Sequence, residues 1–213
     1  MKRFFDLTLL TLSLPIWLSV ISIFYLFNVL IEGFPGFYKS ERYIGNNKFI
    51  KVIKFRVMKK NIDKTLNRTT IVNDSQVFLN LPQYLSIYTK FGLKIEKFGI
   101  TELPQFLSVL KGDMSIVGSR PLPYDVYEAL QDDFPDLAVK RFKGKSGIAG
   151  LPQLIGRDRL TDLDRLNLEV AYVEWTNKNY NFIVDLKIIF FTILFVLNLR
   201  KKMTIEKVLS LLQ

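Results

Sequence analysis

The sequence predicts a mainly α-helical protein whose N-terminus is embedded in a membrane. Three observations carry this. An uncharged, apolar stretch runs from Leu7 to Ile31. Leu103, Phe106, Leu107 and Leu110 recur at the i, i+3, i+4, i+7 spacing of one buried helical face. A second apolar stretch without charge, Ile188 to Leu199, lies near the C-terminus.

Composition sets the limits. The 213 residues have room for one catalytic-size domain plus a membrane element, and 49% are hydrophobic, with 18 Phe among them. Thirty Lys and Arg against 20 Asp and Glu give a formal charge of +10. Such a surface suits nucleic acid, anionic lipid or a phosphorylated substrate. The apolar N-terminus favours lipid, and a nucleic-acid binder would leave that segment unexplained. The chain has no Cys and no His, which excludes disulfides, thiolate chemistry and imidazole catalysis. What remains is carboxylates, Lys, Arg, hydroxyls and a hard, oxygen-bound metal.

Taken in order, Leu7–Ile31 is about 25 residues, long enough at 1.5 Å per residue to cross the hydrocarbon core. No small-x-small cleavage site follows it, against a signal peptide. Pro15 interrupts the segment beside Ser13, whose hydroxyl can satisfy a freed carbonyl. Two readings stay open: a kinked spanning helix, or a helix-break-helix that enters and leaves on one side. Lys2 and Arg3 precede the segment, and Lys39, Arg42, Lys48, Lys51, Lys54 and Arg56 follow it. Basic flanks on both sides favour a cytoplasmic location for both ends.

Residues 59–76 lack a clean period and read as a surface loop. Asp125 to Arg141 has helical character limited by Pro135, and a helix is expected over Leu160 to Thr176. Between them, residues 143–157 carry four glycines and Pro152, a loop for tight turns. Ile188–Leu199 is too short to span and is expected in the interface or the core, with Arg200, Lys201 and Lys202 against anionic headgroups.

The chemistry concentrates in Ile95 to Pro123. Thr101 is expected to cap the 103–110 helix, with Pro104 in its first turn, Glu102 at its positive end and Lys111-Gly112-Asp113 ending it. On the plainest reading this is a well-capped amphipathic helix. On a functional reading the free N–H groups meet a phosphate, Glu102 holds magnesium, and Arg120 pairs bidentately with phosphate. Arg157, after Gly156, is a further phosphate candidate. Asp6 is read as a cap or counter-charge for the first helix, and Trp17, Tyr25 and Trp175 as packing or interface anchors.

Several stretches in order resemble the bacterial sugar transferases, the small monotopic phosphoglycosyl transferases. ITELPQ at 100–105 and SVLKGDMSIVGSRP at 108–121 are similar to that family's L-D-E-L-P-Q and N-V-L-K-G-D-M-S-x-V-G-P-R-P. KRFFD at 2–6, KFRVM at 54–58, SGIAGLPQLIGR at 146–157, Tyr172 and Asp185-Leu186-Lys187 extend the resemblance over nearly the whole chain. It implies a fold of a re-entrant membrane helix (1–35), then interfacial amphipathic helices and a small α-rich cytosolic domain with minor β (36–213). It implies transfer of a sugar 1-phosphate from a nucleotide sugar, usually a UDP-sugar, to a polyprenol phosphate. The expected place is the cytoplasmic face of a bacterial inner membrane. Magnesium or manganese on Glu102 and a covalent aspartyl intermediate are implied with it. Thr101 and Glu102 then stand at the catalytic pair, with Lys54, Arg56, Arg120, Gln153 and Arg157 on substrate. Protein partners are left open between a second copy and other glycosyltransferases.

The chain departs from the pattern where it matters most. Thr101 stands at the position of the family's nucleophilic Asp, and a threonine hydroxyl needs a base to attack. Glu96 stands where an Arg is common, Ser119 and Ser146 replace prolines, Ala149 a Thr, and Ile155 a polar residue. Three accounts follow. The chain is a divergent enzyme using Glu102, Thr101 or direct transfer; or a pseudoenzyme that binds substrate and regulates a partner; or an enzyme whose nucleophile lies elsewhere, Asp113 being near.

Overall fold

The computed structural model describes residues 1–60, 87–156 and 159–213. The expected loop at 59–76 falls largely outside them. The chain opens with two helices, α1 (Lys2–Leu12) and α2 (Leu14–Glu32). The break falls at Ser13, two residues before Pro15, because Pro15 fits the first turn of α2 and cannot continue α1. The Ser13 hydroxyl donates to the Leu9 carbonyl at 2.6 Å, which already accepts the Ser13 N–H at 3.1 Å and is not the carbonyl that Pro15 frees, and the Trp17 indole N–H donates to the Leu10 carbonyl at 3.0 Å. Trp17 is thus a packing residue, set edge-on to Phe106 at 5.6 Å between ring centroids.

An antiparallel hairpin follows, β1 (Phe37–Tyr43) and β2 (Phe49–Phe55), with Phe37 opposite Phe55 and Tyr43 opposite Phe49. Next come α3 (Lys90–Lys97), capped by the Thr89 side chain, a 3₁₀ turn (Ile100–Gln105) and α4 (Phe106–Lys111). The expected cap at Thr101 is not formed. Gly99, left-handed at φ 62°, starts the turn and Thr101 lies inside it, so Pro104 belongs to the 3₁₀ turn and not to the first turn of an α-helix. The helical face is also revised. Leu103, Phe106 and Leu110 pack on Trp17, Phe55 and Ile95, whereas Leu107 is exposed and Val109 takes the second buried side. Three residues per turn before Phe106 rotate the register relative to a continuous α-helix. Gly112 ends α4 at φ 93°, as expected.

The rest is β3 (Ser115–Val117), α5 (Tyr124–Asp133), α6 (Pro135–Lys140), β4 (Gly147–Ala149), α7 (Leu151–Ile155), α8 (Asp162–Asn179), α9 (Phe182–Val196) and α10 (Ile205–Leu209). Pro135 splits the expected 125–141 helix into α5 and α6. The glycine-rich stretch read as a loop contains a strand and a short helix. Its glycines serve close approach: a Cβ on Gly147 would fall 2.1 Å from the Gly118 nitrogen, across the parallel β3–β4 pair. A capping box between Thr161 and Asp164 starts α8 two residues later than expected. The Asn181 side chain caps α9, which begins six residues before the apolar run singled out in the sequence.

The main core joins α1, α4, β3, α7, α8 and α9 around Leu10, Met114, Leu154, Leu168 and Ile188. Each such buried aliphatic contributes about 1.5–3 kcal/mol. A polar cluster closes the same region. Asp185, fully buried, accepts from Lys2 Nζ at 2.6 Å, from the Tyr172 hydroxyl, and from the Tyr180 hydroxyl at 3.2 Å. Burial and the Asp185 carboxylate push both phenols above their ordinary range, so both remain donors. Asp6 accepts from the Ser115 hydroxyl at 2.8 Å and from Ile116 N–H at 3.2 Å. It does not cap its own helix; it fastens α1 to β3.

Candidate functional site

A broad open cleft of about 2010 Å³ runs between the hairpin, the 3₁₀ turn, the Gly118–Pro123 segment and α7 to α9. Lys54, at the end of β2, enters it because the strand alternation that buries Phe55 in the core turns its neighbour outward. Glu102 projects from the 3₁₀ turn, and Arg120 from the segment after β3. These three meet. Lys54 Nζ donates to Glu102 Oε1 at 3.0 Å, Arg120 Nη1 donates to Oε2 at 2.9 Å, and Arg120 Nη2 donates to Oε1. Their side chains keep 24%, 19% and 25% of their surface for Lys54, Glu102 and Arg120, so the cluster is open to a ligand.

Two cations on one carboxylate leave an excess positive charge on the cluster. Burial lowers the Lys54 pKa below the usual lysine value, with Glu102 opposing that shift. Burial also works against Arg120, but the Glu102 carboxylate more than compensates and holds its guanidinium above the ordinary value. Glu96, one turn before Gly99, adds a carboxylate field at Arg120 and lines the same cleft.

The other expected residues divide. Thr101 and Gln153 line the cleft; Thr101 is only 3% exposed. Gln153 Nε2 reaches the Ile148 carbonyl at 3.5 Å. Arg56 also lines it, yet its Nε donates to the Pro35 carbonyl at 2.8 Å and its Nη2 to those of Glu32 and Gly33 at 2.7 and 2.6 Å. In this arrangement Arg56 clamps the C-terminal carbonyls of α2. Asn28 adds to that clamp, its amide donating to the Gly36 and Arg56 carbonyls, both at 3.0 Å. Arg157 lies outside the described residues. Asp113 is exposed beyond α4 and is not among the cleft-lining residues.

Sequence reasoning missed several charged residues here, among them Lys202, which was expected against headgroups and lines the cleft. Arg165 and Glu169 line the cleft one helical turn apart on α8, and Arg141 lies behind them, fully buried. The i, i+4 spacing of Arg165 and Glu169 was visible in the expected helix; the partnership with Arg141 was not. One wall of the cleft is apolar, formed by Ile189, Ile193, Phe195 and Val196 of α9. The end of α9 comes close to the catalytic-candidate turn because Gly99 has no side chain: a Cβ there would lie 3.2 Å from both Val196 methyls. Along the same side, toward its N-terminus, α9 exposes Phe182, Ile183, Leu186 and Phe190, and α2 exposes Ile16, Leu26, Leu30 and Ile31. α2 is also long and apolar enough to cross a membrane.

Residues 1–199 match the model of the family described as bacterial sugar transferase. An uncharacterized sugar transferase, EpsL, of Bacillus subtilis is 37% identical over 91% of this chain and 85% of its own length. The galactosyl transferase CpsE of Streptococcus agalactiae is 34% identical over 92% of this chain and 42% of its own. The UDP-glucose:undecaprenyl-phosphate glucose-1-phosphate transferase of Escherichia coli is 33% identical over 91% and 39%. The chain therefore spans well under half the length of these two larger relatives.

Proposed function

The chain belongs to the bacterial sugar transferase family, and from that premise we propose that it is a membrane-bound phosphoglycosyl transferase, moving a sugar 1-phosphate from a UDP-sugar to a polyprenol phosphate. The carrying observation is the Lys54–Glu102–Arg120 cluster in a cleft whose other wall is the apolar side of α9. One wall suits a diphosphate and the other a prenyl chain. In the reaction an oxygen nucleophile bonds to the sugar-bearing phosphorus of the donor. The bond from that phosphorus to the bridging oxygen breaks, and UMP leaves with the electron pair. Lys54 and Arg120 hold the diphosphate and stabilise the charge that develops on it.

The donor set suits magnesium. Magnesium takes one or two carboxylates with substrate phosphates and water, and Glu102 offers one carboxylate beside the diphosphate position. Glu102 would hold the ion; when bound, the ion neutralises diphosphate charge. Lys54 and Arg120 are the two cations that would meet the phosphate oxygens.

The membrane reading is a re-entrant α1–α2 pair at the cytoplasmic face of the inner membrane. What supports it is the packing of α2 along the body, through Trp17, Ile21 and Asn28, with only 17% of its apolar window buried. Lys2 at one end and Asn28 at the other are both tied to that body, through Asp185 and Arg56. A crossing α2 would drag the charged hairpin into hydrocarbon. The exposed apolar faces of α2 and α9, with Arg200, Lys201 and Lys202 beyond, suit an anionic leaflet.

Thr101 favours a second reading, a binding protein that has lost turnover, because its buried hydroxyl has no adjacent imidazole and Glu102 is already engaged by two cations. One assay separates the two. Purified protein with magnesium, UDP-sugars and polyprenol phosphate should release UMP only when the acceptor is present. Binding of UDP-sugar with no UMP release would select the second reading, and no binding at all would overturn both.

A further inference from the structure

Arg141 is the largest fully buried side chain among the described residues, with no exposure, and Glu169 keeps 4%. Arg141 Nε donates to Glu169 Oε2 at 2.6 Å, and Nη2 donates to the backbone carbonyl of Arg120 at 2.9 Å. In return the Arg141 carbonyl accepts from the Ser119 hydroxyl at 3.2 Å. Residues 119 and 120 are thus gripped twice by one residue, which directly follows α6. Arg120 in turn grips Glu102 with both Nη atoms. The chain of contacts leads from α8 through Glu169, Arg141 and Arg120 to the 3₁₀ turn.

Stability is a poor explanation for this pair. Taking two charges out of water costs about as much as their attraction returns, and apolar replacements of buried pairs are often neutral or stabilising. Here the arrangement even leaves Arg141 Nη1 with no hydrogen-bond partner among the described residues. A fork that spends one arm on a carboxylate and the other on a backbone carbonyl supplies geometry: it fixes where the Arg120 backbone sits, and so where its guanidinium points.

We infer that the Arg141–Glu169 pair is a positioning device for Arg120 in binding the donor diphosphate. This rests on the transferase reading, in which Arg120 meets phosphate. Neither Arg141 nor Glu169 needs to touch the donor phosphates for the device to work. Lysine at 141 keeps the charge opposite Glu169 but has one compact ammonium in place of the fork, and cannot hold both partners in the same geometry.

The test is a double-mutant cycle on UDP affinity, measured by titration calorimetry on the full chain with magnesium. R141K should weaken UDP binding about tenfold, and in an R120A background it should change affinity by less than about twofold, because there is no guanidinium left to position. R141M/E169L, which removes both charges, should fold by circular dichroism and show the same coupling to R120A. Equal losses in both backgrounds would overturn the inference, as would R141K that binds UDP like the wild type and only melts earlier. A wild type that binds no UDP would overturn the transferase reading, and this inference with it.

Discussion

Replacing Glu102 by Gln removes one negative charge from a cluster whose two cations are otherwise held by it. The structure makes the sign of the effect depend on metal. Without divalent cation, Lys54 and Arg120 are neutralised in part by Glu102, at 3.0 and 2.9 Å. Removing that charge should make the cluster a better anion site. A unit charge about 5 Å from a phosphate contributes roughly 1–3 kcal/mol for an effective dielectric between those of water and of a protein surface. In a cleft this open the lower end applies, so E102Q should bind UDP about fivefold tighter in EDTA. With magnesium the order should reverse, because the wild type gains a metal ligand that Gln replaces poorly. Calorimetry in both buffers reads the crossover directly.

Stability offers a second reading of the same variant. Gln keeps one acceptor oxygen but leaves two cations, each about a quarter exposed, without their directly bonded counter-charge. The expected loss is about 1–2 kcal/mol, or roughly 2–8 °C in Tm. If E102Q weakens UDP binding equally with and without magnesium, Glu102 acts on the donor by direct hydrogen bonding and the metal assignment is wrong. If affinity is unchanged in both, the donor lies elsewhere.

Four further outcomes follow from the same geometry. UDP affinity should fall at a lower pH than an ordinary lysine would dictate, because the buried Lys54 loses its proton early as pH rises; K54R should move that alkaline limb upward. Single cysteines placed at Lys2 and Lys39 should label from the same side of the membrane, and labelling from opposite sides would rule out re-entry. Asp185→Asn should cost about 2–3 kcal/mol in chemical denaturation, since three donors converge on that buried carboxylate. Wild-type protein should form no hydroxylamine-sensitive phosphoprotein with a UDP-sugar, whereas Thr101→Asp should form one if only the nucleophile is missing; turnover surviving Thr101→Ala would place the nucleophile elsewhere or make transfer direct.

The helices were legible where the signal was local. Gly112 after Lys111 and the apolar run of α2 each announce an element through chemistry within a few residues, whereas the Thr161–Asp164 box that starts α8 was passed over. Thr101 misled because a Thr before Glu and Pro looks like an N-cap. Gly99, two positions earlier, took that role by adopting a left-handed conformation that Thr resists. The strand in 147–149 was hidden for a different reason. Three residues carry no period, and the partner that makes them a strand lies about thirty residues away in β3. Residue types at the site were legible, and their roles were not. Lys54 and Arg56 differ by two positions and look equivalent as a basic strip, yet one faces Glu102 in the cleft and the other clamps the carbonyls of α2.

That division has a consequence for the N-terminal pair. Arg56 grips the carbonyls at the end of α2, and Lys54 holds Glu102 two residues away on the same strand end. A shift of α2 therefore moves the backbone that carries Lys54. The opposite end of the pair acts on the same turn, because Arg3 of α1 donates to the carbonyls of Val109 and Leu110 in α4, which continues directly from the 3₁₀ turn of Glu102. Both partners of the Lys54–Glu102 contact are thus braced against the N-terminal helices α1 and α2, one from each end. On the transferase reading, seating of α1 and α2 in the leaflet sets the cation geometry that receives the diphosphate.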